Sequence, residues 1–424
     1  MSPTEALGEL ARLFPPNAAV ADGRLSIGGC DAVDLVAEFG TPLYVYDEQA
    51  LLSNTSRFAE AIAAGPGGSR GLYALKAFPA VAMAHIAHAA GLGILCSTGG
   101  EHAVATAAGV PSEHLVLHGN NKSEEELLLT VGRLVVDSFD EIDRIERLGL
   151  EADVWIRVTP GLEAGAHEFI RTGGVDSKFG VPLAQIEEAA VRLSKLEGIR
   201  VRGLHCHIGS QRLEDETQVE RVVLPLLRSL SEAIGQPLRE LDLGGGFAVA
   251  YTRQDPEAVD PAEVATGLLA DWPEDVALTL EPGRSLVARA GVTLHTVGTV
   301  KRIEGVRTYV AVDGGMSDNI RPPLYGAQYE FLVANRADAP ADTPVRIVGK
   351  HCESGDIVSN ESQLPADVRA GDVLATAATG AYTYAMASTY NVVPRPAAVM
   401  CRDGEARVVI RRETVDDLLR LHEG

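Results

Sequence analysis

Leu72-Tyr73-Ala74-Leu75-Lys76 is an apolar run closed by a lysine, and the pattern it begins decides the fold. Short apolar runs of this kind return at Gly93–Ser97 (GILCS), Leu115–Gly119 (LVLHG), Leu134–Ser138 (LVVDS) and Val154–Val158 (VWIRV). They return again at Leu204–Gly209 (LHCHIG), Leu241–Gly245 (LDLGG) and Leu278–Pro282 (LTLEP), which makes eight candidate strands. Between them lie helix-like stretches. Ser123–Gly132 opens with Ser and acids, as a helix N-terminus does. Leu183–Leu196 and Val219–Ile234 carry apolar residues at three- and four-residue steps. Strands alternating with helices predict a parallel sheet, and eight such units close into a (β/α)8 TIM barrel. An open doubly wound sheet is the rival architecture.

The strand ends favour the barrel. Lys76, Ser97, His118, Asp137, Arg157, His207, Gly244 and Glu281 each stand at the C-terminal end of a run. Barrel enzymes build their active sites at that end of the strands. A lysine, two histidines and a glutamate on one rim are hard to ascribe to chance.

After about residue 290 the pattern changes. Val292–Val300, Thr308–Asp313, Val345–Gly349, Val373–Thr376, Ala397–Cys401 and Ala406–Ile410 read as strands with no long helices between them. They predict a second, mostly β domain. Arg24–Ile27 is a further short strand, so the N-terminal segment is expected to pack with that domain. The expected division is an N-terminal segment 1–35, a barrel 36–288 and a C-terminal β domain 289–424. A length of 424 residues fits two or three domains at about 100–200 residues each.

Composition excludes several classes. Hydrophobic residues make up 46 %, enough for a large core rather than a disordered chain. A net charge of -22 would repel a phosphate backbone, so no nucleic-acid partner is expected. No run of about 18 apolar residues is present to span a membrane. The five cysteines are odd in number and widely spaced, with no C-x-x-C pair. That argues against a disulfide framework or a zinc site and fits a reducing cytoplasm. The acidic N-terminus (MSPTEALGEL) lacks the apolar core of a signal peptide.

Several residues stand out for their chemistry. Lys76, at a barrel mouth, is expected to be partly desolvated, which favours the neutral amine needed for a Schiff base; the bland reading is a lysine snorkelling to solvent. Gly244, Gly245 and Gly246 let backbone N–H groups approach a phosphate, although a tight turn would use them equally well. A carboxylate such as Glu281, facing a pyridine nitrogen, would keep it protonated and make the ring an electron sink; a salt-bridged Glu is the alternative. His205 and His207 alternate on one strand and share a face. No acid or cysteine flanks them in sequence, so no metal is expected, and His205 reads as a satisfied core histidine. Cys352, in the polar run C-E-S-G-D, could deliver a proton. Arg284, Arg321 and Tyr325 are candidate carboxylate binders.

Taken together, these strings resemble the fold-type III pyridoxal-phosphate (PLP) decarboxylases, and among them the diaminopimelate decarboxylase family. The matching motifs are Y-A-L-K-A-F, H-G-N-N-K-S, D-S-K-F-G, H-I-G-S-Q, G-G-G-F and E-P-G-R-S-L-V-A, followed by D-G-G-M-S-D-N-I-R-P-P-L-Y-G, C-E-S-G-D and G-A-Y-x-Y-A-M-A-S-x-Y-N. They run in family order from about Phe39 to Pro396. The resemblance implies that Lys76 holds PLP as a Schiff base, that His207 stacks on its ring and that Glu281 pairs with the pyridine nitrogen. Ser210, Gly244 to Gly246, Arg284 and Tyr382 would surround the phosphate or its neighbourhood. It implies a head-to-tail homodimer in which Cys352 and Glu353 serve the other protomer's site, with no membrane association. The implied substrate is meso-diaminopimelate, converted to L-lysine and carbon dioxide. Glu353 would read its distal ammonium, and Arg284, Arg321, Tyr325 and Tyr382 would line the rest of the substrate site. Cys352 or Lys76 would return the proton.

Three positions depart from the family pattern: Leu95 stands where Asp is usual, Lys350 where Pro is expected, and Arg171 in place of a small residue. They bear on which amino acid is accepted. A related decarboxylase acting on carboxynorspermidine, arginine, ornithine or a carrier-linked substrate is the first alternative. An amino-acid racemase is less consistent with Glu281, because alanine racemases place arginine at the pyridine nitrogen. A non-catalytic PLP-binding protein would leave the β domain and the C-E-S-G-D loop unexplained.

Overall fold

A computed structural model of the chain describes residues 5–159, 177–207 and 217–423. The chain forms two compact units. One comprises residues 54–248 and 258–285; the other comprises residues 1–53, 249–257 and 286–424.

The first unit is a closed eight-stranded parallel barrel. Its strands are Arg70–Ala74, Gly93–Cys96, Leu115–Leu117, Arg133–Val136, Ala152–Thr159, Ile199–Cys206, Glu240–Asp242 and Ala277–Leu280. Each pairs in parallel with the next, and Thr279 and Leu280 pair with Arg70 and Gly71 to close the ring. The open-sheet alternative is thereby excluded. Leu72, Leu95, Val116, Val135 and Trp155 form one buried apolar cluster contributed by five consecutive strands. Such layers of inward-facing side chains fill a barrel and make it a solid core. Leu95, which departs from the family pattern, belongs to this cluster and is 2 % exposed.

The N-terminal ends of the strands are tied by charge. The Arg133 guanidinium forks onto Glu240 at 2.5 and 2.7 Å, and Trp155 Nε1 donates to the same carboxylate at 2.6 Å. Arg70 lies over the Trp155 ring at 5.3 Å. Bidentate geometry makes this pairing stronger than an ordinary surface ion pair.

The helices follow their sequence signals with local differences. Ser123 caps a helix through a complete capping box with Glu126, but that helix is only Glu124–Leu127 rather than the ten residues expected. Leu128, next in the sequence, faces solvent instead of a core. Leu183–Gln185 is a 3₁₀ turn leading into the helix Ile186–Ser194. Thr217–Ile234 is one helix despite Pro225 within it.

The second unit is a β structure whose central strand, Gly291–Ile303, is long enough to serve two partner sets. Its first half pairs with Leu43–Asp47 and Val373–Thr376, and its second half with Arg307–Val312. The sheet continues through Thr343–Val348 to Ile357–Leu364 on one side, and through Ala397–Arg402 to Glu405–Ile410 on the other. Leu43–Asp47 (LYVYD) was not among the expected strands, yet all five residues are buried and it pairs on both sides. The first 53 residues therefore belong to this unit, beyond the expected boundary at residue 35. Arg24–Ile27 lies in a small antiparallel sheet with Ala19–Ala21 and Cys30–Asp31. Leu13, Phe14, Leu25 and Ile27 share a core with Leu43, Val292, Leu294 and Val399.

Candidate active site

The first barrel strand ends in a 3₁₀ turn, Leu75–Ala77, and Lys76 sits on it between two buried neighbours. The Tyr73 hydroxyl accepts from Phe78 N–H at 3.1 Å, which tightens the turn. The Lys76 side chain is exposed, so the desolvation expected at a barrel mouth is absent in this structure. The turn abuts the loop after strand eight: Ala74 N–H donates to the Pro282 carbonyl at 3.1 Å. A Cβ on Gly283 would lie 2.9 Å from that of Ala74, so only glycine fits there.

The buried lysine of this unit is a different one. Lys122, in H-G-N-N-K-S, is 1 % exposed. Its ammonium donates to the carbonyls of Gly119 and Val135 at 2.6 and 2.8 Å and lies 2.7 Å from Glu141. An ammonium held this way is committed to structure, which leaves Lys76 as the candidate Schiff-base lysine.

Glu281 ends strand eight and is 7 % exposed. His118 Nε2 lies 2.9 Å from its Oε1, and His205 Nε2 lies 3.6 Å from its Oε2. His118 and His205 themselves pack edge to face, 4.7 Å between centroids. Asp242, at the end of strand seven, completes a buried group of four whose donor atoms all lie within 4.8 Å of one another. Burial lowers the pKa of both imidazoles, that of His205 to about 4. Burial also pushes Glu281 upward, but the two imidazoles outweigh it and hold the carboxyl well below the usual range. Asp242 moves the other way: burial first, then the Glu281 charge, raise it well above the carboxylate range.

Two sequence expectations change here. His205 is not a satisfied core histidine, because neither ring nitrogen has a hydrogen-bond partner although the side chain is buried. Acids do approach the histidines, contributed by strands seven and eight rather than by the flanking sequence. Two imidazoles and two carboxyls form a donor set that a divalent metal could also use.

His207 follows the sixth strand, and its Nδ1 accepts from Gly245 N–H at 3.2 Å. A Cβ on Gly244 would lie 2.5 Å from that same nitrogen, and one on Gly245 would lie 2.1 Å from the Glu281 carbonyl oxygen. The Gly244 carbonyl accepts from Glu281 N–H at 2.8 Å. His207, the glycine run and Glu281 are therefore brought together. Arg284 follows at the start of the short helix Arg284–Val287, partly exposed. Ser210 and Arg171 lie outside the described residues.

The β unit carries the remaining candidates. Arg321 opens the helix Arg321–Tyr325 and is 6 % exposed. Its guanidinium lies 4.6 Å from the Tyr251 ring centroid and donates to the Tyr329 hydroxyl. Burial would lower its pKa, but the two tyrosines outweigh that and keep it a cation. Tyr325 is partly exposed at the end of the same helix. Tyr382 has φ +60°, a left-handed conformation that a bulky residue adopts only when its surroundings enforce it.

Cys352 and Glu353 are exposed on their loop, as is Lys350 just before it. The loop is pinned from beneath. Asp356 accepts from Met316 and His351 N–H at 2.7 and 2.8 Å, and the Asn391 side-chain oxygen accepts from Cys352 N–H at 3.2 Å. Asp242, Asp356 and Asn391 were not singled out as candidates. The signal for Asp242 was its place in L-D-L-G-G-G, at the end of a strand.

The residues at the barrel end fit pyridoxal phosphate. Buried Glu281 Oε1 approaches His118 closely but off the hydrogen-bond angle, and so remains an unpartnered acceptor suited to a pyridinium N–H. Beside it, the glycine run presents backbone where side chains cannot enter. The pyridoxal-dependent decarboxylase pyridoxal-binding domain matches residues 51–288, and the chain belongs to that family, whose members are carboxy-lyases. Pyridoxal phosphate is its cofactor.

Within the family, the chain is 43 % identical to the diaminopimelate decarboxylase of Bacillus subtilis over 419 residues, 94 % of this chain and 95 % of that one. The diaminopimelate decarboxylase of Corynebacterium efficiens is 41 % identical over 97 % of this chain and 94 % of its own. The crystal structure of diaminopimelate decarboxylase from M. jannaschii in complex with L-lysine superposes with a TM-score of 0.87 at 33 % identity, covering 97 % and 98 % of the two chains.

Proposed function

We propose that this chain decarboxylates meso-2,6-diaminopimelate to L-lysine. The observation that carries the proposal is full-length similarity: the relatives named diaminopimelate decarboxylase match the β unit as well as the barrel. When bound, pyridoxal phosphate supplies an electron sink for the pair left on the α-carbon as carbon dioxide departs.

The chain's own residues have separable tasks. Lys76 would hold the cofactor through its amine. Glu281 holds a proton on the ring nitrogen, as a buried anion can. The backbone N–H groups of Gly244 to Gly246, with Ser210, Arg284 and Tyr382, receive the phosphate end. His207, whose Nδ1 accepts from Gly245 N–H, would help hold the cofactor ring. Arg321, Tyr325 and Arg284 recognise the distal carboxylate, and Glu353 the distal ammonium. A cation as well fixed as Arg321 favours a substrate with a second carboxylate over ornithine or arginine. Cys352 or Lys76 returns a proton to the α-carbon.

The reading includes a cytoplasmic homodimer in which Cys352 and Glu353 complete the partner's site. The five cysteines are all free thiols, in keeping with a reducing compartment.

The test is carbon dioxide release by the PLP-loaded protein with meso-diaminopimelate, ornithine, arginine and carboxynorspermidine side by side. Lysine formed from diaminopimelate alone supports the reading; turnover only of another substrate transfers the specificity to that compound. Mixing Lys76→Ala and Cys352→Ala protomers tests the shared site. Activity regained in the mixture supports it, and none regained refutes it.

A further inference from the structure

Among the described residues, three lysine or arginine side chains are buried: Lys122, Arg157 and Arg321. Lys122 lies 2.7 Å from Glu141, and Arg157 lies 3.9 Å from Asp137. Arg321 is the exception, since no carboxylate of the described residues comes within ion-pair distance of it. Its surroundings are aromatic. The Tyr329 hydroxyl accepts from its Nη1, and the ring centroids of Tyr251 and Tyr329 lie 4.6 and 5.6 Å from its Cζ.

This cage is itself fixed. The two rings pack edge to face with centroids 5.3 Å apart, and both side chains are buried. Asp255 accepts from Tyr251 N–H at 2.8 Å, and Arg253 donates to Glu330, the neighbour of Tyr329, at 3.2 Å. Asn319 Oδ1 accepts from Arg321 N–H at 3.2 Å. All these residues belong to the β unit. A guanidinium withdrawn from water without an anion is unfavourable. A hydroxyl acceptor and two ring faces offset part of that, the rings more so where water is excluded. Neither cancels the charge. A carboxylate in the same place would pair with Arg321 permanently and leave an anionic ligand little to gain.

We propose that Tyr251 and Tyr329 are positioning residues that determine substrate specificity: they hold Arg321 buried, oriented and without an opposing charge, so that the enzyme selects an amino acid with a carboxylate remote from the reacting carbon. The inference rests on the functional reading above, in which Arg321 receives that carboxylate. It assigns the selection to the two tyrosines as well as to the arginine.

The experiment is calorimetric titration of the PLP-loaded enzyme with L-lysine and with cadaverine. The two ligands share a carbon chain and two amines, and only lysine has the remote carboxylate. The wild type is expected to bind lysine more tightly than cadaverine. Tyr329→Phe should weaken lysine about tenfold, the scale of a lost hydrogen bond to a charged group, with cadaverine unchanged. Tyr251→Leu removes a ring face and should weaken lysine by about threefold to thirtyfold, whereas Tyr251→Phe keeps the face and stays close to the wild type. With diaminopimelate, both weakened variants should show a raised KM and a kcat that changes little, as loss of uniform binding does.

A purely structural role would lower the affinity for both ligands together. An equal loss for both, or an unchanged preference for lysine in Tyr329→Phe and Tyr251→Leu, overturns the proposal. So does a wild type with no preference. Should Tyr251→Leu fail to fold, Tyr329→Phe decides alone, since it deletes a single oxygen. Failure of the functional reading looks different: the wild type releases no carbon dioxide from diaminopimelate. The binding preference needs no turnover and still decides the role of the tyrosines.

Discussion

His118 Nε2 lies 2.9 Å from Glu281 Oε1, between two side chains each 7 % exposed. The contact joins the third barrel strand to the eighth, across 163 residues of sequence. Together with His205 it offsets the burial that would otherwise push the Glu281 carboxyl upward. Glu281→Gln keeps the shape and removes the charge. We expect kcat with diaminopimelate to fall about a hundredfold, the scale of a lost charge-assisted hydrogen bond. KM should change much less, because the substrate is read by other residues. Steady-state kinetics with a carbon dioxide assay checks both.

Lys76→Ala removes the amine that binds the cofactor covalently. Activity is expected to fall by on the order of a thousandfold or more, as when a covalent nucleophile is deleted. Borohydride reduction followed by peptide mass mapping should label the wild-type peptide containing Lys76 and leave the variant unlabelled. Label on Lys122 instead would contradict the assignment.

Lys122→Met tests the structural role of the second lysine. The substitution leaves Glu141 buried without its cation, along with two backbone carbonyls that have lost a donor. Breaking a buried ion pair from one side costs about 3–5 kcal/mol. We expect a clear drop in the melting temperature of the barrel and poor soluble yield. Paired replacement of Lys122 and Glu141 by apolar residues should recover part of the loss.

His295 lies 3.0 Å from Asp318, and both are buried in the β unit. Burial alone would lower the imidazole pKa, but the Asp318 charge and its hydrogen bond outweigh it and raise the value above the ordinary one. A histidine raised on folding contributes stability that is fully present below its unfolded pKa, about 6.5. That contribution disappears as pH climbs through the folded value. Thermal melts at rising pH should show this loss in the wild type, and a flatter profile over the same window in His295→Gln.

Much of the barrel was legible because each strand is a short apolar run that must be buried on both faces. The runs from Leu72 to Leu280 therefore announced themselves, and their polar ends marked one rim. Leu43–Asp47 was overlooked because its strand partners are residues 291–294 and 397–401, and nothing local distinguishes it from a single apolar segment. The helix expected over Ser123–Gly132 was overextended because capping chemistry marks where a helix starts and says little about where it stops.

The sequence by itself determined the alternation of strands and helices, the glycine run, and the identities of Lys76, His207, Glu281, Arg321 and Cys352 as chemically unusual residues. Residue type and spacing are local properties, and the chain carries them whether folded or not. Only the tertiary structure decided that Lys76 is exposed while Lys122 is buried, and that Asp242, His118 and His205 converge on Glu281. Burial and proton affinity depend on what other strands bring to within a few ångströms. The carboxyl at the end of strand eight is held below its usual range, and the one at the end of strand seven raised above it, only when barrel closure buries them beside the same imidazoles.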